Sequence, residues 1–176
     1  RALLEGISFD FKSGEILTFL GQNGCGKTTL LNLVLGFLQP ASGSIKWNLP
    51  ETKLAFVKQF ASVNFNFPMS VYEFLALALL KDRSVFYRLT NAEQLKIDKV
   101  LLQFGLQQIV DSSISQLSGG ERQKLLIAQA MLLDPKVLLL DEPFNNIDAR
   151  YVDEMILIFK KFRANGGSIL SVNHDW

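Results

Sequence analysis

The sequence has little sulfur or imidazole chemistry, since Cys25 and His174 are the only cysteine and histidine in 176 residues. With one cysteine the chain forms no internal disulfide, a pattern that fits a reducing compartment and favours the cytosol. One cysteine and one histidine also make no cluster of the kind that holds a structural zinc ion. A length of 176 residues is that of one compact domain, so the sequence predicts a single apolar core.

Net charge and long apolar runs are lacking as well. The 18 basic and 17 acidic residues leave a formal net charge of +1, so no overall field draws the chain onto nucleic acid or acidic lipid. The most membrane-like run, VYEFLALALL, contains Glu73 and is shorter than the roughly 20 apolar residues that span a bilayer. The N-terminal RALLEGISFDF shows no signal-peptide pattern. The hydrophobic share of 48% therefore indicates a large core or an apolar docking surface.

Strand-like and helix-like segments alternate at both ends of the chain, which predicts an α/β core with a mostly parallel sheet. Early strands are expected in ISFDF (7–11), EILTFL (15–20), GSIKWN (43–48) and KLAFVKQ (53–59), with antiparallel pairing at the N-terminus. The apolar run Val137–Leu140 predicts a strand that is buried on both faces, and SILSVN (168–173) predicts a last strand. Helices are predicted from Lys27 to Phe37 and from Asp148 to Ala164.

Helical patterns dominate the middle of the chain. Ser70 with Glu73, and Thr90 with Glu93, have the capping-box spacing that marks a helix start, and Gly105 would end the second helix. We therefore predict three parts. The first part of the core covers 1–59, an inserted α-helical subdomain covers 60–120, and the second part of the core covers 121–176.

The segment GQNGCGKTT, Gly21–Thr29, matches G-x-x-x-x-G-K-[ST] between a predicted strand and a predicted helix. In such a P-loop, glycines let backbone N–H groups turn towards phosphate at the positive end of the helix. Lys27 is assigned to the β- and γ-phosphates, Thr28 to Mg²⁺ and Thr29 to phosphate oxygens, and Cys25 is expected to be a small filler. The predicted cofactors are ATP and Mg²⁺, and a structural glycine turn is the alternative. The nucleotide-binding residues predicted in the P-loop are Gly21, Asn23, Gly24, Cys25, Gly26, Lys27, Thr28 and Thr29.

Two carboxylates follow the buried strand in the string LLLDEP. Asp141 ends the strand beside the P-loop, where a carboxylate holds Mg²⁺ through water. Glu142 is then placed to polarise a water for attack on the γ-phosphate, which makes it the predicted catalytic base. Such a pair by itself would be a solvated edge or a helix cap, but together with the P-loop it predicts hydrolysis.

The string LSGGE, Leu117–Glu121, opens a predicted helix and is called the LSGGE turn below. Ser118, Gly119 and Gly120 at a helix N-terminus predict a second anion site, separate in sequence from the first. Read in isolation, the string would be a flexible cap.

The order of P-loop, Gln59, LSGGE, LLLDEP and a late His174 resembles the nucleotide-binding subunit of ATP-binding-cassette (ABC) transporters over essentially the whole chain. The resemblance implies that Gln59 contacts Mg²⁺ and the attacking water, and that His174 touches the γ-phosphate. It also implies that the LSGGE turn caps ATP held by a second copy in a head-to-tail dimer. Residues 145–148, NNID where many members have SALD, correspond to the family's D-loop.

The resemblance implies a membrane partner as well. An integral-membrane permease subunit would receive the motion of the dimer, which places the chain at the cytoplasmic face of the cell membrane and away from nucleic acid. The strings FNFPMSVYEFL and DEPFNNID look similar to importers of zinc, manganese and related metal ions. The candidate contacts for a short permease helix, or alternatively an apolar cluster inside the helical insertion, are Phe65, Phe67, Met69 and Tyr72.

The family's adenine-stacking aromatic residue would precede Arg1, and its members usually continue beyond His174, so we expect the chain to be trimmed at both ends. Two other functions stay open from the sequence. A soluble ABC ATPase acting in DNA repair or translation is disfavoured by the single cassette and by the absence of heptads between the P-loop and LSGGE. A nucleotide sensor without hydrolysis is disfavoured because Gln59, Asp141, Glu142 and His174 are all present.

Overall fold

The computed structural model describes residues 4–48, 53–59, 63–80, 88–145 and 147–174. The chain alternates strands and helices, so the α/β prediction is confirmed. Two short 3-10 helices, Gln107–Ile109 and Ile114–Gln116, precede the LSGGE turn. In chain order the other elements are β1 (Ile16–Leu20), α1 (Lys27–Val34), β2 (Leu54–Val57), α2 (Val71–Leu80), α3 (Asn91–Phe104), α4 (Gly119–Met131), β3 (Val137–Asp141), α5 (Ala149–Ala164) and β4 (Ser168–Asn173).

The four strands of the described residues form one sheet in the order β1-β4-β3-β2, with every neighbouring pair parallel. Parallel neighbours need long crossovers, and α1, α4 and α5 lie on the connections between strands. All five residues of β3 are buried, as the apolar run Val137–Leu140 predicts for a central strand.

The two faces of the sheet bury different sets of side chains because side chains alternate along a strand. Leu138 and Leu140 of β3 belong to one buried cluster, which also contains residues of α2, α3, α4 and α5. Leu139 belongs to a second cluster with α1, against which Phe11 and Trp47 pack. The sheet is therefore covered on both sides, and its carboxyl edge is the place left for a site.

Several predicted helix ends are confirmed. Thr90 and Glu93 form a reciprocal capping box at α3, and Gly105 ends that helix with φ of 64°. The predicted end of α1 at Phe37 is wrong, because the helix stops at Val34. Gly36 takes φ of 77°, and the N–H of Phe37 donates across 2.9 Å to the carbonyl of Asn32 in the last turn of the helix. This left-handed glycine closes α1 early in a Schellman arrangement.

The predicted antiparallel strands at the N-terminus are wrong, since the sheet of the described residues is entirely parallel. Within 4–48, the segments 7–11 and 43–48 form no strand. Their aromatic side chains nevertheless pack on the sheet: Phe9 meets Phe19 at 5.0 Å between ring centroids, and Phe11 meets Trp47 at 6.4 Å. Alternation thus places the apolar side chains of these segments against the sheet. It does not make them strands, because a strand also needs a neighbouring strand edge to pair with.

The segment after Gln59 contains α2, α3 and the two 3-10 helices, as the helical patterns predict. These helices share one buried cluster with α4 and the sheet, so the structure does not confirm a separate inserted subdomain, and the division at 59 and 120 stays a prediction. No helix in the described part of the chain is long and apolar enough to cross a membrane.

Candidate nucleotide site

The carboxyl ends of three strands meet at one edge of the sheet, and most predicted site residues follow them. β1 ends at Leu20 before the P-loop, β3 ends at Asp141, and β4 ends at Asn173. The register pairs Leu20 with Asn173 and Asp141 with Val172, so the three ends are level to about one residue. In open parallel sheets, this edge is where ligands bind.

The P-loop passes from β1 into α1 through conformations that glycine adopts freely. Gly24 and Gly26 have φ of 82° and 103°, in the left-handed region. A Cβ on Gly21 would lie 2.6 Å from the Sγ of Cys25, so a larger residue there would require the Cys25 side chain to move. Gly26 directly precedes α1, whose first N–H groups have no partner within the helix. The loop therefore presents backbone donors and the positive helix end at one point.

Lys27 is charged and yet only 9% exposed. Its Nζ donates to the carbonyl oxygens of Gly21 and Gln22, at 2.6 and 3.1 Å, and lies 3.6 Å from Oε1 of Glu142. A buried ammonium requires partners of this kind. The N–H donors of the Lys27 ammonium also suit the oxygens of a phosphate, which would replace the carbonyls of Gly21 and Gln22 as acceptors.

Asp141 is buried behind the P-loop, with Oδ2 accepting a hydrogen bond of 3.3 Å from the hydroxyl of Thr28. Burial raises the pKa of the Asp141 carboxyl above its ordinary value, and the nearby charge of Glu142 acts in the same direction. The hydrogen bond from Thr28 and the positive charge of Lys27 act in the opposite direction. A hydroxyl with a carboxylate directly behind it is a donor set that suits a hard divalent cation.

Glu142 follows β3 with φ of 48°, in the left-handed region that a residue with a Cβ rarely adopts. The sheet holds this conformation, since the N–H of Glu142 donates to the carbonyl of Val172 across 2.9 Å. Oε2 accepts from Nε2 of Gln59 at 2.8 Å and from Nδ2 of Asn145 at 3.0 Å, while Oε1 faces Lys27. The carboxylate is therefore held by donors on both oxygens and points in one direction.

These residues enclose an open, mainly polar cleft of ≈ 360 Å³. Its donors fit a magnesium-bound nucleotide: backbone amides and Lys27 suit the phosphates, and Thr28 with Asp141 behind it suits the cation. Gly21, Cys25 and Asp141 are not among the residues that line the cleft, and Asp141 acts on it through Thr28. The lining residues are Asn23, Gly24, Gly26, Lys27, Thr28, Thr29, Gln59, Glu142 and Asn145.

The LSGGE turn does not line this cleft. Ser118 is the N-cap of α4, where its Oγ accepts from the N–H of Glu121 at 3.4 Å and the Glu121 carboxylate accepts from the N–H of Ser118 at 2.8 Å. Gly119 and Gly120 form the first turn of the helix. The LSGGE turn therefore forms the capped N-terminus of α4, outside the cleft, and the sequence correctly predicts that it opens a helix.

The model of the family described as ABC transporter matches residues 4–145 of this chain. The chain belongs to the ABC transporter family. It is 35% identical over 174 residues to the zinc import ATP-binding protein ZnuC of Pseudomonas fluorescens. The alignment covers 98% of this chain and 62% of ZnuC. The chain therefore spans less than two thirds of the length of this curated relative.

Solved structures of ABC proteins have the same fold. An ABC transporter in an inward-facing conformation superposes with a TM-score of 0.84 at 31% identity, covering 96% of this chain and 66% of that chain. CbiO1 of Clostridium perfringens, part of the ABC transporter complex cbiONQ, superposes with a TM-score of 0.82 at 28% identity, covering 98% of this chain and 72% of that chain.

The other residues that match ABC motifs lie at different distances from the cleft. His174 is exposed directly after β4 and does not line the cleft, although the carbonyl of the preceding Asn173 accepts from the N–H of Gly21 at 3.3 Å. In the D-loop, Asn145 lines the cleft, whereas Asn146 lies outside the described residues. Asp148 is the N-cap residue of α5.

The four aromatic and sulfur side chains after Gln59 do not form one docking surface, because Phe65 is only 3% exposed. Its ring stacks on Phe74 at 6.0 Å, and the guanidinium of Arg122 lies 5.1 Å from its centroid. Phe67 is 53% exposed, while Met69 and Tyr72 are partly buried against the main cluster. The prediction that Phe65 contacts a permease is therefore wrong, and the alternative, an internal apolar cluster, is correct for this residue. Phe67 stays accessible to a partner.

Sequence reasoning missed one contact in the cleft and one at the LSGGE turn. The first is the hydrogen bond from the side-chain amide of Asn145 to the carboxylate of Glu142. A turn brings the two residues together, since the backbone N–H of Asn145 donates to the carbonyl of Glu142 at 3.2 Å. An amide three residues after an acid is a signal that could have predicted it. The second is the contact of Tyr151 with Gly120, and no local signal announces it because the two residues lie on different helices.

Proposed function

We propose that this chain belongs to the ATP-binding and ATP-hydrolysing subunit of an ABC importer. The observation that supports this most is the carboxylate of Glu142 at the mouth of the P-loop cleft, with donors from Gln59 and Asn145 and with Lys27 at 3.6 Å. A fixed carboxylate beside a phosphate cradle is the arrangement that activates a water for attack on the γ-phosphate. Membership of the ABC transporter family favours this function over a role in DNA repair or translation.

The P-loop residues bind and orient the nucleotide in this proposal. The N–H groups at the start of α1 and the Nζ of Lys27 donate to phosphate oxygens, and Lys27 exchanges the carbonyls of Gly21 and Gln22 for them. Thr28, Asp141 and Gln59 hold Mg²⁺, which neutralises charge on the phosphates when bound. Asn23, Cys25 and Thr29 complete the loop around the phosphates.

Glu142 accepts the proton of the attacking water. Its backbone is anchored to β4, and the amides of Gln59 and Asn145 keep the carboxylate from turning away. His174 directly follows the neighbouring strand β4 and does not line the cleft of this copy, and we assign it to the γ-phosphate because the ABC resemblance implies that contact. The catalytic residues we propose are therefore Glu142, Gln59 and His174.

A second copy of the chain completes each site. The LSGGE turn lies away from the P-loop cleft of its own chain, and its helix N-terminus suits an anion. Ser118, Gly119 and Gly120 of one copy cap the ATP held by the other, and two-fold symmetry then makes two such sites. The closing motion passes to an integral-membrane permease, with Phe67 as an accessible contact, so the subunit works at the cytoplasmic face of the cell membrane.

The cargo we propose is zinc or a related metal ion. The relative at 35% identity is named a zinc import ATP-binding protein, and the FNFPMSVYEFL string carries the same suggestion. Cells that lack the gene should then grow poorly under zinc chelation and recover with added zinc. Restoration by the wild-type gene but not by Glu142→Gln would tie zinc uptake to ATP turnover, and growth that does not respond to zinc would contradict this cargo.

The deciding experiment for ATP hydrolysis is Glu142→Gln in the full-length protein. The variant should bind ATP within about threefold of the wild type, while turnover falls by at least about 100-fold because the proton acceptor is gone. It should also form a dimer that depends on ATP. Glu5→Gln, an exposed acid at the start of the chain, is the matched control and should leave both unchanged. Turnover at the wild-type rate in Glu142→Gln would rule out the role of Glu142.

A further inference from the structure

We propose that Tyr151 is a positioning residue for the LSGGE turn. Its ring sets where the backbone of Gly120 lies, and so how the N-terminus of α4 meets the nucleotide held by a second copy. The inference rests on the proposed function, because it concerns the site that two copies share. It adds a residue of α5 that matches no motif of the sequence.

The ring of Tyr151 lies directly against the backbone of Gly120. A Cβ on Gly120 would be 2.3 Å from Cδ2 and 2.6 Å from Cγ of that ring, closer than atoms approach without moving. Gly120 is buried, and it belongs to the first turn of α4. The glycine is therefore required here by a neighbouring ring in the same chain, since no side chain fits between α4 and α5.

A charged side chain of α4 also contacts the ring. Nζ of Lys124, one turn after Gly120 on α4, lies 4.6 Å from the centroid of the Tyr151 ring. Lys124 also pairs with Glu154, which is three residues after Tyr151 on α5. The side chain of Lys124 is only 8% exposed, so its attraction to the ring is little screened by water, whereas the side chain of Glu154 is 53% exposed and the ion pair is screened. The Tyr151 ring thus contacts both a glycine and a lysine of α4.

The contact joins the two halves of the proposed mechanism. Tyr151 lies in the first turn of α5, where its N–H donates to the carbonyl of Asp148 at 2.9 Å. The D-loop immediately before contains Asn145, whose side chain holds Glu142. The segment that positions the catalytic carboxylate in one site therefore continues into the ring that positions the LSGGE turn for the other site.

The test measures dimer formation and ATP binding separately in the full-length Glu142→Gln protein, which the proposed function expects to dimerise without turnover. Analytical ultracentrifugation over a range of ATP and protein concentrations gives the dimer dissociation constant, and calorimetry at protein concentrations below it gives the ATP affinity of one copy. Tyr151→Ala should raise the dimer dissociation constant by about tenfold or more. Its ATP affinity should stay within about twofold, because the P-loop and Lys27 are untouched. Tyr151→Phe keeps the ring and should dimerise as the parent does.

The matched control is Phe162→Leu. Phe162 is another ring of α5 that lies against a glycine, since a Cβ on Gly167 would be 2.4 Å from its Cε1. It is eleven residues further along, or about 16 Å at 1.5 Å per residue, so it is remote from the LSGGE turn. Phe162→Leu should lower stability and leave the dimer dissociation constant unchanged.

Equal dimerisation of Tyr151→Ala and the parent would overturn the proposal, as would a loss of dimer in Tyr151→Phe as large as in Tyr151→Ala. If Tyr151→Ala does not fold, Tyr151→Leu takes its place with the same expectation, because leucine fills space without a flat ring. A parent that neither binds ATP nor dimerises would instead contradict the proposed function itself, so the two failures are distinguishable.

Discussion

The side-chain amide of Gln59 donates to Oε2 of Glu142 across 2.8 Å. Both residues stand two positions beyond a register pair of β2 and β3, since Val57 lies opposite Leu140. Parallel strands of equal register therefore bring together two residues that are 83 positions apart. The segment that leaves β2 towards the helices is thereby connected to the carboxylate proposed to activate water.

Removing either amide from Glu142 should slow hydrolysis. Gln59→Ala and Asn145→Ala should each lower kcat by about 10- to 100-fold, because a displaced carboxylate no longer faces the attacking water. Both amides donate to the same oxygen, so the double variant should lose less than the product of the single losses. Steady-state ATPase measurements give these values, with the exposed Gln103→Ala as control. Losses that multiply would show that the two amides act independently.

Lys27→Ala should weaken ATP binding more than it destabilises the fold. The ammonium makes two hydrogen bonds and one ion pair in the cleft, and charge-assisted bonds contribute about 1.5 to 3 kcal/mol each. Loss of one such bond to phosphate raises the Kd by roughly 10- to 100-fold. Calorimetry with a non-hydrolysable ATP analogue measures this. The exposed Lys160→Ala is the control, and an unchanged Kd for Lys27→Ala would place the phosphates elsewhere.

Asp141→Asn should make the nucleotide-free protein more stable at neutral pH. Burial raises the pKa of this carboxyl above its ordinary value of 3.8, so the folded chain holds the proton to higher pH than the unfolded chain does. Stability therefore falls as pH rises from 3.8 through the raised pKa, and the loss persists at neutral pH. Asparagine keeps an acceptor for Thr28 but carries no charge to desolvate. Thermal unfolding across pH should show an advantage that disappears below 3.8.

The matched control for this comparison is Asp98→Asn on the exposed face of α3. It should change the unfolding temperature little at any pH. An Asp141→Asn protein that is less stable than the wild type at neutral pH would contradict the sign of the argument.

Phe65→Ala and Phe67→Ala should separate folding from docking. Phe65 is 3% exposed and stacked on Phe74, so truncation should cost about 3 to 5 kcal/mol of unfolding free energy. Phe67 is 53% exposed, so the same change should stay within about 0.5 kcal/mol and weaken co-purification with the permease. Urea unfolding and co-purification measure the two effects. Equal stability of both variants would argue against the buried position of Phe65.

Local features of the site could be predicted from the sequence because each depends on neighbours in the chain. The P-loop needs glycines at positive φ followed directly by a helix, and Gly24, Gly26 and α1 meet that need. Capping at Thr90 and Ser118 likewise involves residues three positions apart.

Pairing and packing could not be predicted in the same way. ISFDF has the alternation of a strand and yet forms none, since alternation does not specify a neighbouring edge. Phe65 and Phe67 are both aromatic residues of one loop, and packing against residues distant in the chain, among them Phe74 and Arg122, buries the first and not the second.

The sequence by itself determined the order of motifs, the helix caps at Thr90 and Ser118 and the buried central strand, because these follow from short-range geometry and apolar periodicity. The tertiary structure decided that Glu142 is held by Gln59 and Asn145, and that Tyr151 occupies the space beside Gly120. Such contacts join elements that are far apart in the chain. They depend on strand register and helix packing, which arise from the whole core and which no single segment specifies.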